Sequence, residues 1–352
     1  MLHDPNIHYL DNAATTMVNP EVIETITKAM AEHWANPSSL YTPGAHSELA
    51  LNKARADVAR TRKWGKRIVC TGFEHPSVAL PMQRLAQEGY DVQFVAPEAD
   101  GHLNVDKMLE LVDKNTILVA AMQVNNETGT AVDVARLAAG VKARNDRTAV
   151  HVDGVQAWMR VPVRLANIDS YSVSGHKIHA PKGIGALYLR KGYHSEPPYL
   201  GGGQEKGMRP GTENLPYAIG MAKAATLLSR TLPQRHKTLV ELNTRLREGL
   251  KQFPEVTLNS PEDAVPEVLN FSLNVIRSET MLHHLETMGV YVSSGSACSK
   301  GAASHTLTAM GLEPRRIDTA IRASFCADNT PEDVDALLEG LKTGLATLSR
   351  IR

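Results

Sequence analysis

Two different periods of apolar and polar residues alternate between residue 20 and about residue 185. Stretches with apolar side chains three or four residues apart, which is typical of amphipathic helices, interleave with short apolar runs rich in β-branched residues. The predicted helices are PEVIETITKAMAEHW, GAHSELALNKARADVART, SVALPMQRLAQEG and DVARLAAGVKARN, and the predicted strands are RIVCT, DVQFVA, TILVAAMQV, AVHVD, YSVS and GALYLR. This alternation predicts an α/β fold with a doubly wound, mainly parallel sheet.

The pattern changes after a glycine-rich loop, GGGQEKGMRPGT. Two helical stretches, NLPYAIGMAKAATLLSR and PQRHKTLVELNTRLREGLKQF, precede the strand-like runs VTLN, VLNFSLN and AIRASF, a helix near residues 280–288 and a closing helix from Pro331. Such an order predicts a smaller α+β domain. We place the large domain at residues 17–233 and the small domain at residues 1–16 plus 234–352.

Charge and hydropathy narrow the range of partners. Lys plus Arg and Asp plus Glu both number 38, so the formal net charge is zero and nucleic acid is not expected as a partner. The longest apolar runs are far too short to span a bilayer, and MLHDPNIHYL lacks the basic and apolar regions of a secretion signal. We expect a cytoplasmic protein with no membrane partner, acting on small molecules or on other proteins.

The three cysteines occupy different environments. Their odd number and unpaired spacing argue against a disulfide framework and a zinc site, so no metal is predicted. Cys70 lies in the apolar run RIVCT and is predicted to be a core residue, whereas Cys298 lies in SSGSACSKGAASHTL, where little can pack against it. Cys298 is therefore the predicted nucleophile. For Cys326, a thiol beside the site and a structural thiol both remain open.

Polar motifs follow three of the predicted strands, as VNNE, HVD and SGHK. Ligands of open α/β sheets bind at the carboxyl ends of strands, so these motifs are expected at one edge. Lys177 follows Asp153 by 24 residues. An amine that forms a Schiff base, and a carboxylate that keeps a pyridine nitrogen protonated, are what pyridoxal phosphate (PLP) requires. The alternatives are a solvated lysine and a helix-capping aspartate.

Nine short strings carry a family resemblance. They are YLDNAATT, NPSS, EHPSV, VNNETG, HVDGVQ, SGHKIHAPKGIGALY, GGGQEKGMRPGTEN, SSGSACS and IRASF, and they extend over nearly the whole chain. In these strings and their order the chain resembles the cysteine desulfurases, PLP enzymes of the class V aminotransferase group with the fold type I architecture. Nine motifs in order are far more specific than any one of them.

The resemblance implies a role for each matching residue. Lys177 would be the Schiff-base lysine, Asp153 the partner of the pyridine nitrogen, and His75 a ring-stacking residue that relays protons, with a helix cap at Pro76 as its alternative. Gln156 and Asn126 would lie near the phenolic oxygen of the cofactor and the substrate. Ser174, His176 and, across a dimer interface, Thr212 would bind the cofactor phosphate. Arg322, assisted by Asn36, would bind the substrate carboxylate. The alternatives are a loop residue for Thr212, a structural ion pair for Arg322 and an Asn-Pro turn at Asn36.

The resemblance also implies a reaction. L-cysteine would become L-alanine, and its sulfur would pass as a persulfide on Cys298 to an acceptor protein, either an iron–sulfur scaffold or a thiolation enzyme. The protein would be a homodimer. Two alternatives stay open: a selenocysteine or cysteine-sulfinate lyase of the same group, and a catalytically impaired paralogue that serves as an assembly partner.

One segment of the family is missing from this chain. Members carry, before the EH motif, a strand and a helix joined by a Ser-Gly-Gly-Thr-Glu-like turn that cups the cofactor phosphate, as expected for an anion at a helix start. Here ARADVARTR runs directly into KWGKRIVCTGFEH, near residues 62–63. Two explanations are open at this point: the protein has the segment but the sequence at hand omits it, or the deletion is genuine.

Overall fold

The computed structural model describes residues 7–32, 64–193, 201–294 and 303–351. Asn36, Cys298 and the predicted helix at residues 44–61 lie outside these ranges. The strands are β1 His8–Tyr9, β2 Arg67–Thr71, β3 Asp91–Val95, β4 Thr116–Met122, β5 Ala149–Asp153, β6 Ser170–Ser174, β7 Gly185–Leu189, β8 Thr257–Leu258, β9 Val268–Ser272, β10 Val290–Tyr291, β11 Ser293–Ser294 and β12 Ala320–Ser324. The helices are α1 Pro20–Glu32, α2 Pro76–Gln87, α3 Val105–Glu110, α4 Val134–Arg144, α5 Leu215–Leu250, α6 Ser278–Thr287, α7 His305–Ala309, α8 Pro314–Asp318 and α9 Pro331–Thr347.

A six-stranded sheet carries the first half of the chain, in the order β3-β2-β4-β5-β6-β7. Its neighbouring strands pair in parallel, except that β7 runs antiparallel to β6. The central strands are buried because helices cover the sheet, which explains their nearly continuous apolar runs. The α/β fold with a mainly parallel sheet is thus confirmed, and RIVCT and AVHVD occupy their predicted residues.

Side-chain caps fix where several helices begin. Asp133, the first residue of the predicted helix DVARLAAGVKARN, accepts a hydrogen bond from the backbone N–H of Arg136 at 2.9 Å at the start of α4. The short helix α3 was not predicted, because six residues are too few to show a clear period. Its cap is Asn104, which accepts from the N–H groups of Asp106 and Lys107.

The second half of the chain builds an antiparallel sheet in the order β11-β12-β9-β8. Phe271 of β9 and Phe325, which follows β12, are almost fully buried against α6, α9 and the C-terminal half of α5. The N-terminal strand β1 pairs in parallel with β10, next to this sheet. Chain ends that are far apart in sequence therefore meet in one hydrophobic core.

Helix α5 is continuous over 36 residues, although two helices were predicted with a break at Pro233. Proline lacks an N–H and leaves a carbonyl of the preceding turn without its helical partner. In the same turn Nη1 of Arg235 donates to the carbonyl oxygen of Leu228 at 3.2 Å, one residue before the Ser229 carbonyl that faces Pro233. Apolar contacts on both sides of Pro233 then keep the helix intact. The predicted domain boundary at residue 233 stays a prediction.

A turn at residues 11–15 brings the N-terminus beside β12. The N–H groups of Ala14 and Thr15 donate to the carbonyl oxygen of Asp11, which closes the turn. Ser324 fixes the turn from outside, because its carbonyl accepts from the N–H of Asn12 and its hydroxyl accepts from the N–H of Ala13 at 2.8 Å. We call residues 11–15 the N-terminal turn.

Candidate active site

Lys177 ends a short 3-10 helix, Gly175–Lys177, that leaves the carboxyl end of β6. Its Nζ donates to the carbonyl oxygens of Ala13 at 2.8 Å and Ala14 at 2.6 Å, both in the N-terminal turn. Gly175 allows the tight exit from β6, since a Cβ there would lie 2.8 Å from a methyl group of Ile184. The lysine is therefore a partly buried, oriented amine and not a solvated surface charge.

Asp153 ends β5, next to β6 in the sheet, and its carboxylate is buried. His75 follows β2, and burial is the main cause that lowers its pKa. Asp153 opposes that shift and Lys177 adds to it, so both charged groups lie near the imidazole. The amine, the carboxylate and the ring thus meet at one edge of the sheet, as strand ends should.

His75 also caps α2. Its Nδ1 accepts from the N–H of Ser77 at 3.2 Å and lies 2.7 Å from the Ser77 hydroxyl. A ring nitrogen that accepts a backbone N–H leaves the proton of the neutral ring on Nε2. Because these bonds lie near the plane of the ring, its faces remain available for stacking. The cap and the predicted stacking role are therefore compatible.

Gln156 lies one turn after Asp153 and is buried. Its Nε2 donates to the carbonyl oxygen of Ala13 at 2.9 Å, the same oxygen that Lys177 binds. Its Oε1 accepts from Arg160, which also donates to the backbone carbonyl of Lys177 at 3.3 Å. The sequence reasoning missed Arg160, although its position four residues after Gln156 was a usable signal.

Arg322 of β12 is buried and brings three segments together. Its Nη1 donates to the carbonyl oxygen of Asn126 at 3.0 Å, and its Nη2 donates to Oδ1 of Asp11 at 2.7 Å and to the hydroxyl of Ser293 at 3.2 Å. Its Nε has no partner among the described residues. The ion pair with Asp11 was not predicted, and it leaves the buried Nε–H able to bind a further acceptor.

Glu74 is a buried carboxyl group that the sequence reasoning passed over. Its Oε1 accepts from the hydroxyl of Thr71 and from the N–H of Met122 at 2.6 Å, and its Oε2 has no partner among the described residues. Burial, assisted by the charge of Asp153, raises the pKa of Glu74 to about 8. Glu74 is therefore mostly protonated at neutral pH, and its position in the EH string was the available signal.

The loop after β4 carries a second glutamate, Glu127, which is partly buried. Its Oε2 accepts from the hydroxyl of Ser304, the N-cap of α7, at 2.5 Å. Burial raises the pKa of Glu127, while the bond from Ser304 and the charge of Arg322 lower it. In the same loop Asn125 donates to the carbonyl oxygen of Phe73 at 3.0 Å. The loop therefore joins the chain before His75, the guanidinium of Arg322 and the start of α7.

The three residues predicted for the phosphate differ in their surroundings. Ser174 caps the 3-10 helix without a side-chain hydrogen bond. Nδ1 of His176 lies 3.3 Å from the hydroxyl of Thr15, and burial, with Lys177 and Lys182, lowers its pKa. Thr212 is exposed in the loop before α5, and no hydrogen bond within the described residues joins it to the other two.

Both described cysteines are poor nucleophiles. Cys70 is fully buried, as predicted for a core residue, and burial raises its pKa well above the usual range. Burial also raises the pKa of Cys326 to about 12. Cys326 lines a cavity of about 20 Å³ beside Lys177, together with Arg160, Arg235 and Glu267. Such a cavity has room for about one water molecule.

The donor set fits PLP. A partly buried amine, a buried carboxylate and an imidazole face one region, which matches the imine, the pyridine nitrogen and the ring face of that cofactor. The unpaired Nε of Arg322 fits a substrate carboxylate. Within residues 7–32, 64–193, 201–294 and 303–351, no group of three or more His, Cys, Asp or Glu side chains could hold a metal ion. In those same ranges, no helix has the length and apolar character needed to cross a membrane.

Comparison with known proteins identifies the protein family. The model of the aminotransferase class-V family matches residues 8–62 and 59–337, so the chain belongs to that family. It is 35% identical to a cysteine desulfurase of Trichormus azollae, covering 95% of this chain and 92% of the relative. It is equally 35% identical to the cysteine desulfurase IscS of Methanosarcina thermophila, covering 94% and 90%. A solved NifS-like protein superposes with a TM-score of 0.89 at 33% identity, covering 96% of this chain and 99% of that one.

The comparisons also bear on the missing segment. The two family matches overlap at residues 59–62, next to the junction where the resemblance implies a missing strand and helix. The alignment with the Trichormus relative runs over 372 positions, which is longer than the whole chain of 352 residues. A stretch of the relatives therefore has no counterpart here, and the full sequence runs continuously through this junction. The junction itself, at residues 62–63, lies outside the described residues.

Proposed function

We propose that this chain is a PLP-dependent cysteine desulfurase that converts L-cysteine to L-alanine and transfers the sulfur as a persulfide on Cys298. The observation that carries the proposal is the meeting of Lys177, Asp153 and His75 at one sheet edge, beside the buried Arg322. The relatives named cysteine desulfurase, at 35% identity over nearly the whole chain, support it.

When bound, PLP supplies an electron sink that stabilises the loss of a substrate α-proton. Lys177 would hold the cofactor covalently, and the carboxylate of Asp153 would keep its ring nitrogen protonated. His75 would stack on the ring and could move a proton at Nε2, because its Nδ1 is engaged by Ser77. Gln156 and Asn126 would serve the phenolic oxygen and the substrate. Ser174, His176 and, across a dimer interface, Thr212 would bind the phosphate.

The substrate enters with its carboxylate toward Arg322, assisted by Asn36. The thiolate of Cys298 then forms a bond to the substrate sulfur while the carbon–sulfur bond breaks, and the carbon takes a proton. Cysteine and a protein thiol thus yield alanine and a protein persulfide, with no external oxidant or reductant. Cys70 and Cys326 are unsuited to this step because their raised pKa values disfavour the thiolate.

A substitution of Cys298 tests the nucleophile. We expect Cys298→Ser to lower alanine formation from L-cysteine at least about 100-fold and to abolish the persulfide detected by mass spectrometry, since a hydroxyl cannot take up the sulfur. Cys326→Ser is the matched control and should retain most of the activity. Alanine formation that persists in Cys298→Ser, with a persulfide elsewhere, would refute this role of Cys298.

The missing segment favours a second candidate, a catalytically impaired paralogue that acts as an assembly partner. Loss of the helix that cups the phosphate removes anion-binding N–H groups. Titration with PLP distinguishes the two functions: an active desulfurase turns yellow, whereas a chain that stays colourless with excess PLP supports the impaired paralogue. A selenocysteine or cysteine-sulfinate lyase would turn yellow but would not require Cys298.

We further propose a homodimer in the cytoplasm that passes sulfur to an iron–sulfur scaffold or a thiolation enzyme. The predicted reach of Thr212 into a neighbouring active site motivates the dimer, and size-exclusion chromatography at micromolar concentration tests it. A radiolabelled persulfide that moves to a purified acceptor would identify the partner. Cell fractionation tests the location.

A further inference from the structure

The guanidinium of Arg322 already holds a carboxylate of the chain itself. Its Nη2 lies 2.7 Å from Oδ1 of Asp11, and the two side chains are only 5% and 19% exposed. Ser293 and the carbonyl oxygen of Asn126 take further hydrogen bonds. Three neighbours thus engage a group that must also bind the substrate.

A count of hydrogens shows what remains for a substrate. A guanidinium has five N–H bonds, and it grips a carboxylate with two parallel bonds along either of two edges. Both edges include Nη2, because one is formed by Nε with Nη2 and the other by Nη1 with Nη2. The two hydrogens of Nη2 are taken by Asp11 and Ser293. Among the described residues, three of the five N–H bonds are taken, which leaves the Nε–H and one hydrogen of Nη1. These two do not form an edge with each other, so a carboxylate cannot bind by two parallel bonds until Nη2 is released.

For electrostatic reasons, Asp11 is the neighbour whose side chain must leave Nη2 of Arg322 when a substrate carboxylate binds. Asp11 bonds Arg322 directly and Glu127 lies near the same guanidinium. A substrate carboxylate therefore adds further negative charge around one buried cation, and this is costly unless the carboxylate that Arg322 holds directly moves away. Ser293 and Asn126 are uncharged and impose no such penalty. We propose that Asp11 is a positioning residue that competes with the substrate carboxylate for Arg322 and so sets the affinity for L-cysteine. This inference rests on the proposed function.

The backbone around Asp11 lets the side chain respond alone. The N-terminal turn is fixed by hydrogen bonds from Asn12 and Ala13 to Ser324 and by its own closing bonds to the carbonyl oxygen of Asp11. A rotation of the Asp11 side chain releases Nη2 and leaves these bonds intact. The carbonyl oxygens of Ala13 and Ala14 consequently keep their places beside Lys177. Asp11 can therefore affect the binding of the carboxylate without disturbing the lysine.

The test is Asp11→Asn, which keeps the shape and removes the charge. We expect the KM for L-cysteine to fall about tenfold, because the substrate no longer competes with a resident carboxylate. The KM for L-cysteinamide, which has no carboxylate, should change less than about twofold. Asp11→Ser removes the same charge with another short polar residue and carries the same expectation if Asp11→Asn does not fold.

Asp335→Asn is the matched control. It removes the charge of an aspartate that bonds an arginine, Arg245, outside the candidate site, so the KM for L-cysteine should stay within about twofold of the wild-type value. A purely structural Asp11 gives the opposite pattern: its variants raise the KM for L-cysteine, or shift the values for L-cysteine and L-cysteinamide together. Either result overturns the inference.

A binding measurement on the full chain avoids turnover. 3-Mercaptopropionate has the carboxylate and thiol of the substrate but no amine, and calorimetry should show about tenfold tighter binding to Asp11→Asn. Cysteamine, which lacks the carboxylate, should bind equally to both proteins. Arg322→Lys distinguishes a failure of the proposed role of Arg322 from a failure of the proposed role of Asp11. If it leaves the KM for L-cysteine unchanged, the proposed role of Arg322 fails; if it raises that KM while Asp11→Asn lowers nothing, only the inference about Asp11 fails.

Discussion

Glu74 is buried and Glu127 is partly buried in the loops that follow two neighbouring parallel strands, yet the charges that shift their pKa values have opposite sign. Asp153 lies near Glu74 and helps burial to raise its pKa to about 8. Arg322 lies near Glu127 and, with a hydrogen bond from Ser304, opposes the effect of burial on its pKa. The same residue type at the same sheet edge is therefore held in two different electrostatic environments.

This difference divides the candidate site. On the side where Lys177 and Asp153 lie, strand ends place the reactive groups, and Glu74 avoids a second negative charge by keeping its proton. On the side where Arg322 lies, a network of charged and neutral hydrogen bonds fixes the guanidinium. Burial alone does not determine the ionisation of these carboxyl groups. A neighbouring negative charge adds to the rise in pKa that burial causes, and a neighbouring positive charge reduces it.

The largest effect should come from Lys177→Ala, which removes the reactive amine from one side only. We expect turnover to fall more than about 1,000-fold and the yellow colour to be lost, since no other amine can take its place. Binding of 3-mercaptopropionate near Arg322 should survive. Lys182→Ala, an exposed lysine nearby, is the control. Loss of carboxylate binding in Lys177→Ala would show that the two sides are not independent.

Glu74→Gln should alter the pH dependence of stability. Folding raises the pKa of Glu74 from 4.5 to about 8. Within that window the folded state binds more protons than the unfolded state, so this group makes the free energy of unfolding fall as pH rises. Glutamine does not titrate. Between about pH 5 and 8, the free energy of unfolding of the variant should therefore rise relative to that of the wild type by up to about 1.4 kcal/mol per pH unit, and by a few kcal/mol in all.

Urea unfolding at several pH values measures this difference in free energy of unfolding. Glu127→Gln sharpens the comparison. Because Arg322 and Ser304 favour the ionised form of Glu127, the difference between Glu127→Gln and the wild type should change less with pH. A difference between Glu74→Gln and wild type that is constant with pH would refute the protonated state of Glu74.

Arg322→Lys should act mainly on substrate binding. A lysine cannot reproduce the planar fork, so the KM for L-cysteine should rise about 30- to 100-fold while the cofactor colour remains. Arg316→Lys is the matched control, since Arg316 is also partly buried and bonds Asn259 and the carbonyl oxygen of Leu258. That control should lower stability and leave the KM unchanged. An equal rise in KM for both variants would remove the special role of Arg322.

The smallest effect is expected from Ser304→Ala. Loss of the N-cap bond to Leu307 and of the bond to Glu127 should lower the free energy of unfolding by about 1 kcal/mol. Turnover should also fall, because the loop of Glu127 holds Arg322 through the carbonyl oxygen of Asn126. Asn104→Ala removes the cap of α3 at a similar cost and should leave turnover unchanged. Equal turnover in the two variants would contradict the link to Arg322.

The two sides also differ in how far the sequence predicts them. Lys177, Asp153 and His75 follow strands whose apolar runs are evident, and parallel strands bring their ends together by topology alone. In the structure His75 lies near both charged groups, since Asp153 raises and Lys177 lowers the pKa of its imidazole. The six-stranded sheet and most of its helices are predicted for the same reason, since their periods are long enough to recognise.

The other side depends on contacts that no local pattern contains. Asp11 and Arg322 are 311 residues apart in sequence, and Glu127 and Ser304 are 177 apart. Only the packing of the N-terminal turn on β12, and of the loop after β4 on α7, brings them together. The continuity of α5 through Pro233 was missed for a similar reason, because distant apolar contacts outweigh the local helix-breaking tendency of proline.

Helix α5 takes part in two hydrophobic cores. Residues such as Met221 and Ala224 pack with Val22 and Ile178, whereas Leu242 and Leu246 pack with Phe271 of the antiparallel sheet. If one of the two cores unfolds, the half of α5 that packs in it becomes exposed. The other half then loses the hydrogen-bonded helical turns next to it. The helix therefore makes the loss of either core costly for the other, and the two sheets should denature in one cooperative transition.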